Sequence, residues 1–299
     1  LNVVFVSRVQ MNPYVSLLAA GIERAAANAT VQVRTDLPLR WLWRERRDID
    51  VLHFHWAELL YASATWKGAW LKWLRLAGAF VLAKLLGIKI AYTVHNIAHH
   101  EGHRALLNRL ANALIFGLAD IIHVHDDHTR GVVTARFHRR HGVVVIPHGN
   151  YLSYPNTCTR EEAREWLDIP RHAFVYLALG QIRPYKGIED LLRAFVDLPD
   201  RDAVLVIAGN AYNPEYGERI AYLTAQDARV ILRLGYVPPE ELQYFLNACD
   251  ICVLPYRHVT TSGAAILAFS FGKPVIVPRL GDFPQLVGDR RGILYLSLI

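Results

Sequence analysis

Short apolar runs alternate with longer stretches of helical periodicity along all 299 residues. In the first half the runs are Val3 to Ser7, Val51 to His55, Ile88 to His95, Ile121 to His125 and Val143 to Pro147. Between them, near 13–27, 66–86, 103–118 and 127–138, apolar positions recur at the spacing of one helix face. The second half repeats the theme, with strand-like runs Phe174 to Leu179, Val204 to Ala208, Val230 to Leu232, Ile251 to Leu254 and Pro274 to Val277. Its helical stretches fall near 187–197, 215–226, 239–248 and 262–271. Continuous apolar strands separated by helices predict parallel sheets covered on both faces. Gly149, Asn150, Pro155 and Asn156 make a loop between the halves. Thr159 with Glu162 then forms a capping box for a helix that runs through Leu167 and stops before Pro170. The prediction is an α/β protein of two doubly wound, Rossmann-like domains, 1–152 and 153–299. Ligands in such sheets bind beyond the carboxyl ends of the strands, so chemistry is expected in a cleft between the domains.

Composition narrows the class. A hydrophobic content of 53% with 20% charge describes a chain with ample core and excludes a disordered one. Three cysteines are too few for a disulfide framework and point to a reducing compartment. Cys249 and Cys252 have the redox spacing, but the pair leads into an apolar run and reads as two inert, buried thiols. The start, LNVVFVS, reads as a buried strand and not a secretory leader, and no run reaches the roughly 18 apolar residues of a membrane span. The opening Leu and the end in YLSLI suggest a fragment. The expected location is cytoplasmic, peripheral at the inner membrane face.

Charge is uneven. Residues 1–150 carry 18 Lys and Arg against 10 Asp and Glu, and residues 151–299 carry 15 against 17, so the net +6 combines a half at +8 with a half at −2. A basic half favours an anionic partner. Trp66, Trp70 and Trp73 share one helical face beside Lys67, Lys72 and Arg75, and Trp41, Trp43 and the basic run Arg44 to Arg47 lie just upstream. Two readings stand: a membrane-binding surface over 40–86, or a core helix whose tryptophans pack on the sheet. The charge tilts the choice toward the membrane. No nucleic-acid motif accompanies the basic residues, so no nucleic-acid partner is expected.

Two turns suit anions. Gly180-Gln181-Ile182-Arg183-Pro184-Tyr185-Lys186-Gly187 follows a strand and sets two cations at its end, where they can grip a diphosphate. Thr260-Thr261-Ser262-Gly263 opens an apolar helix, whose first N–H groups and dipole favour an anion. Solvated cations and plain helix capping are the alternatives.

LGQIRPYKGIEDLLRAF, LVIAGN, LGYVPPEELQYFLNACDICVLPYR and FGKPVIVPRLGDFPQLV, in that order, resemble the C-terminal domain of family-4-type (group 1) GT-B glycosyltransferases. VLHFHW, AYTVHN and VVVIPHGN resemble strand ends of their acceptor domain, and the nearest subgroup is that of bacterial polysaccharide-assembly mannosyltransferases. The resemblance implies a hexosyltransferase that moves a sugar from a GDP- or UDP-linked donor to a glycan or lipid-linked acceptor. It implies that Lys186, Ser262 and Gly263 hold the donor diphosphate, with Arg183 beside them. It also implies that Gly209, Gly235, Tyr236 and Val237 lie near the nucleotide, and that His95 faces donor sugar and acceptor. No cofactor and no obligatory metal are expected. The chain departs from the pattern at three places: Gln181 stands where an arginine is usual, Val259 and Leu267 stand near the usual glutamate pair, and Arg8 to Pro13 replaces a glycine-rich turn. Alternatives are another reaction on the same fold, such as nucleotide-sugar epimerisation, and a non-catalytic nucleotide-sugar-binding protein.

His95 to Glu101 holds the candidates for proton handling. An inverting mechanism favours a carboxylate base such as Glu101; a retaining one leaves His95 to position the reactants. His99, His100 and His103 read as surface residues. Asp48-Ile49-Asp50 precedes a strand and reads as a turn, and Asp126 reads as a helix cap. His53 with His55, and His123 with His125, share strand faces, but the sequence supplies no third metal ligand.

Overall fold

A computed structural model describes residues 1–9, 12–95 and 105–296. The chain forms two compact units, Leu1–Gly149 and Asn150–Ile299. The first runs β1 (Asn2–Val6), α1 (Tyr14–Ala25), β2 (Thr30–Arg34), α2 (Leu39–Glu45), β3 (Val51–His55), α3 (Trp66–Leu85), β4 (Lys89–Thr93), α4 (Ala105–Leu118), β5 (Ile121–Val124), α5 (Asp127–Phe137) and β6 (Val143–Val145). Its strands make one parallel sheet in the order β2-β1-β3-β4-β5-β6. The order reverses between β1 and β3, the point at which crossovers leave in opposite directions and open a crevice.

Alternation along each strand sorts side chains between two faces. Leu52 and Phe54 of β3 join Leu42, Phe80, Ile90 and Ile122 in the larger core beneath α2 to α4. His53 and His55, the alternate residues, go to the opposite face and meet Phe5 edge-on. There Val3, Phe5, Tyr14, Val15 and Ala19 make a smaller core under α1.

The second unit runs α6 (Arg160–Leu167), β7 (Val175–Leu179), α7 (Ile188–Val196), β8 (Val204–Gly209), α8 (Pro214–Thr224), β9 (Val230–Leu234), α9 (Leu242–Ala248), β10 (Ile251–Val253), α10 (Gly263–Ser270), β11 (Val275–Pro278), α11 (Phe283–Val287) and β12 (Gly292–Tyr295). The strand order β12-β11-β10-β7-β8-β9 places its switch point between β7 and β10. Thr159 and Glu162 form the predicted capping box. Arg164 of the same helix is 1% exposed and fully engaged, with Ala248 O, Arg171 O and the Asp250 carboxylate, locking α6 to the chain entering β10.

The doubly wound α/β reading holds in both units. Four elements differ from the sequence expectation. Strands β2 and β12 line the sheet edges with half-exposed, mixed residues, so neither shows a continuous apolar run. Helices α2 and α11 have seven and five residues, too short to display a period. Cys249 and Cys252 are buried, with sulfurs 3.9 Å apart, and the hydrogen bond with Cys249, reinforced by burial, holds the Cys252 thiol well above the usual range.

Candidate functional site

The switch point of the second unit gathers the anion-suited turns. Gly180 follows the end of β7, and Arg183 to Lys186 make a tight turn before α7. Gly187 closes that turn with φ 68°, and any Cβ there would collide with the carbonyl of Pro255, after β10. Only glycine lets the β7 and β10 loops approach so closely. The Arg257 N–H donates to Tyr185 O at 2.8 Å, and the ammonium of Lys186 sits 4.9 Å from the Tyr256 ring centre. Burial opposes the charge of Lys186, but contact with Tyr256 and Tyr185 outweighs it, so its pKa stands above the ordinary lysine value. No carboxylate pairs with Lys186 among the described residues, whereas Arg257 binds Asp190 at 2.7 Å. Lys186 is thus a cation held by aromatic contacts, ready for an external anion.

Arg183 diverges from Lys186. Its guanidinium lies 5.3 Å from the Tyr212 ring, beyond β8, and its Nε donates to Gln181 at 2.9 Å. Ser262 is buried and caps α10 by accepting from Ala265 N–H. Its oxygen is an acceptor in that bond while its O–H remains a donor, and the helix start also offers the N–H groups of Gly263 and Ala264, which have no intrahelical acceptor. Gly209 ends β8 packed on the Gly180 carbonyl, and Gly235 N–H donates to Gly209 O at 3.0 Å. Tyr236 beside it is half-exposed, and Val237 packs against the core. Val259 and Leu267, near the places of the usual glutamates, also pack against that core.

In the first unit the sheet register builds a cluster that no sequence motif announced. His55 pairs with Thr93, and Thr93 with His123, so the three stand in a row across β3, β4 and β5. His53 precedes that row, and His95, His125 and His148 follow the strand ends. Tyr14, in the first turn of α1, lies within 5.8 Å (ring centres) of His55, His95, His125 and His148. The His95 ring stacks on Trp56 at 3.7 Å and 8°. Trp56 has left-handed backbone angles, φ 47° and ψ 52°, a strained state for a large side chain that recurs at functional sites.

Every imidazole of the cluster is neutral at physiological pH. Burial, reinforced by His123, lowers His53 to about 3; burial, with His123 and His148, lowers His125 to about 3. Burial and neighbouring rings push His55 and His95 well below the histidine range, and burial also lowers His123 and His148. Hydrogen bonds link the rings: His53 Nε2 to Thr93 Oγ1 at 2.8 Å, Thr93 Oγ1 to His123 Nδ1 at 3.1 Å, and His55 Nδ1 to His95 Nε2 at 3.2 Å. No group of three His, Cys, Asp or Glu has a metal-holding arrangement among the described residues.

Glu101, His99, His100 and His103 lie outside the described residues. Asp50 accepts from Asn2 N–H in the turn before β3, and Asp126 caps α5 through Thr129. The tryptophans divide: Trp41 and Trp73 pack against the larger core, whereas Trp43 and Trp66 are each 54% exposed. Exposed Leu71, Leu74 and Leu85 extend the apolar face of α3, and Leu39, Arg40, Trp43, Arg44 and Arg46 line a shallow recess of about 590 Å³. No helix among the described residues is long and apolar enough to cross a membrane.

A family model described as glycosyl transferases group 1 matches residues 173–297. A GDP-mannose:glycolipid 4-beta-D-mannosyltransferase of Xanthomonas campestris pv. campestris is 30% identical over 275 residues, which is 89% of this chain and 70% of that protein. A D-inositol 3-phosphate glycosyltransferase of Corynebacterium aurimucosum is 28% identical over 261 residues, 81% of this chain and 58% of its own length. Among solved structures, Anabaena Alr3699/HepE in complex with UDP and glucose matches with TM-score 0.76 over 99% of this chain and 86% of its own, at 16% identity. WaaG, a glycosyltransferase involved in lipopolysaccharide biosynthesis, matches with TM-score 0.68 over 100% and 87%, at 14% identity. These structures share the GT-B fold with this chain.

Proposed function

The chain belongs to the group 1 glycosyltransferases, and we propose that its donor is a GDP- or UDP-linked hexose and its acceptor a lipid-linked saccharide. The observation that carries the donor side is Lys186, an ammonium with no carboxylate partner among the described residues, at the switch point between β7 and β10. As the sugar leaves, negative charge develops on the departing diphosphate. Lys186, Arg183 and the start of α10, with Ser262 and the N–H groups of Gly263 and Ala264, are suited to stabilise it, so no metal is obligatory. Gly209, Gly235, Tyr236 and Val237, at the ends of β8 and β9, are the proposed nucleotide contacts. GDP-mannose is favoured among donors by the name of the Xanthomonas relative.

His95 is the proposed contact to the sugar, with Glu101 retained as the carboxylate candidate for a base. The half-exposed Trp43 and Trp66, with the arginines around α2, support contact of this unit with an anionic lipid surface on which such an acceptor would reside. Titration calorimetry with GDP and UDP tests the donor site. One of them is expected to bind, and Lys186→Ala to weaken it about 100-fold, the scale of one lost charge-assisted contact. Absence of binding by both at millimolar concentration, or unchanged affinity in the variant, overturns the assignment.

A further inference from the structure

The hydrogen bonds of the imidazole cluster fix where its protons sit. A carbonyl oxygen only accepts, so His123, whose Nε2 lies 2.9 Å from Ile146 O, carries its proton on Nε2. Its Nδ1 is then bare and accepts from the Thr93 hydroxyl, which in turn accepts from Nε2–H of His53. His125 also meets Ile146 O, through Nδ1 at 3.2 Å, so its proton is on Nδ1 and its Nε2 is bare. That Nε2 is buried without a partner among the described residues. Where the geometry alone decides, the cluster therefore leaves a lone pair unmatched and not an N–H.

His55 presents the same choice at the one bond that reaches His95. Its Nδ1 is the atom facing His95 Nε2, and its own Nε2 is buried without a hydrogen-bond partner among the described residues. If His95 donated, His55 would carry its proton on that Nε2, a buried N–H with no acceptor among the described residues. Orphaned buried N–H groups are the rarer kind. If His55 donates, only a lone pair is stranded, as at His125.

We propose that His55 is a positioning residue that donates from Nδ1 to Nε2 of His95 and so fixes His95 as a neutral ring with its proton on Nδ1. Trp56 covers one face of the ring at 3.7 Å and Tyr14 meets it edge-on at 4.8 Å, so both contacts hinder its rotation. No described residue binds His95 Nδ1. His95 then offers a sugar oxygen a hydrogen-bond donor, and it is not the base that takes a proton from the attacking hydroxyl. This last consequence rests on the proposed contact of His95 with the sugar; the tautomer does not.

The two parts are separable by experiment. In protein labelled with ¹⁵N-histidine, with His95 assigned by its loss in His95→Gln, two-bond ¹H–¹⁵N correlation near neutral pH is expected to show a protonated Nδ1 and a bare Nε2. A protonated Nε2 at His95 overturns the proposal directly, whatever any variant does. Kinetics add the functional arm. His55→Leu is expected to lower kcat about 10- to 100-fold, the scale of a displaced reacting geometry, with nucleotide affinity unchanged. His55→Asn, whose amide can place an N–H where Nδ1 stands, is expected to recover most of that loss and keep the Nδ1–H signature at His95. Equal losses in the two variants refute the positioning role. Full activity in His95→Gln would instead remove the sugar contact while the tautomer result stood.

Discussion

Lowering the pH should unfold the first unit selectively, through histidines that are buried neutral. Twelve of the fourteen histidines precede residue 150. His53 and His125 fall from 6.5 to about 3 on folding, chiefly because burial disfavours the charged ring. Between those two values the unfolded chain binds protons that the folded chain refuses, so stability is full above pH 6.5 and declines as the pH drops toward 3. At pH 5 each of the two rings contributes RT ln(1 + 10^1.5), about 2 kcal/mol of destabilisation relative to pH 8, so together they contribute about 4 kcal/mol. The result is insensitive to the folded values so long as they lie well below 5. His55 and His95, displaced in the same direction, add to it. Asp120, held below 3.8 by the Ile90 N–H and Lys84 although burial opposes its charge, gives up stability in the same direction, but only as the pH falls below about 4, beneath the pH 5 comparison. The second unit holds only His172 and His258, both exposed, and serves as the internal control. Hydrogen exchange at pH 8 and pH 5, corrected for intrinsic rates, should show β3, β4 and β5 losing up to three decades of protection relative to β7 and β8. His125→Phe should remove about 2 kcal/mol of the loss. Equal changes in the two sheets would refute a neutral buried cluster.

Three further outcomes are expected. Arg164→Ala removes one of the two arginines on the Asp250 carboxylate, which keeps Arg160 and the Val175 N–H, and leaves the carbonyls of Ala248, Pro170 and Arg171 without their donor, so it should destabilise the second unit by about 2–4 kcal/mol in urea titration; a loss below about 1 kcal/mol would show the network to be ornamental. Trp56→Ala and Trp56→Gly both delete the stack on His95, but only alanine keeps the left-handed strain, so the glycine variant should be the more stable by about 1 kcal/mol in thermal melts. Equal melting temperatures would mean that the backbone relaxes. Cys249 and Cys252 should resist a thiol reagent in the native protein while Cys158, which is partly exposed, reacts; modification of all three without denaturant would contradict their burial.

The fold was legible because central strands of a parallel sheet are largely apolar on both faces: β1, β7 and β8 read as unbroken runs, and β3 as a run broken only by His53 and His55. Edge strands escape that signal, as Thr30 to Arg34 shows, since its burial is decided by the neighbour and not by its own pattern. The same division separates the two sites. Arg183 and Lys186 belong to one short turn, and a turn that follows a strand already says where its side chains go. The imidazole cluster instead draws on five segments, each carrying an ordinary histidine, tyrosine or tryptophan. The pairs His53 with His55 and His123 with His125 were visible as sharing strand faces. What the sequence could not supply was the order β3-β4-β5, with Thr93 in register between them, which turns two pairs into one network.

The two regions, each within its own unit, differ in the chemistry they can serve. Arg183 and Lys186 only donate and are charged, which matches phosphate oxygens and nothing else in the donor. A neutral imidazole donates once and accepts once, as a hydroxyl does, and rings 4.3–5.7 Å apart cannot share charge without mutual repulsion. Neutrality is therefore a condition of the cluster's existence, and it makes the cluster suited to hydroxyls and unsuited to phosphate. Val259 and Leu267 sharpen the contrast. Side chains packed against a hydrophobic core cannot serve sugar hydroxyls as the usual carboxylates would. On the proposed reading, hydroxyl recognition by this chain depends correspondingly more on neutral groups such as His95. The strain at Trp56 and the unmatched lone pairs of His55 and His125 are local violations of good packing concentrated on that one network. Such violations persist where the surrounding fold over-determines them, and a network held in one proton order has a use only if a ligand reads that order.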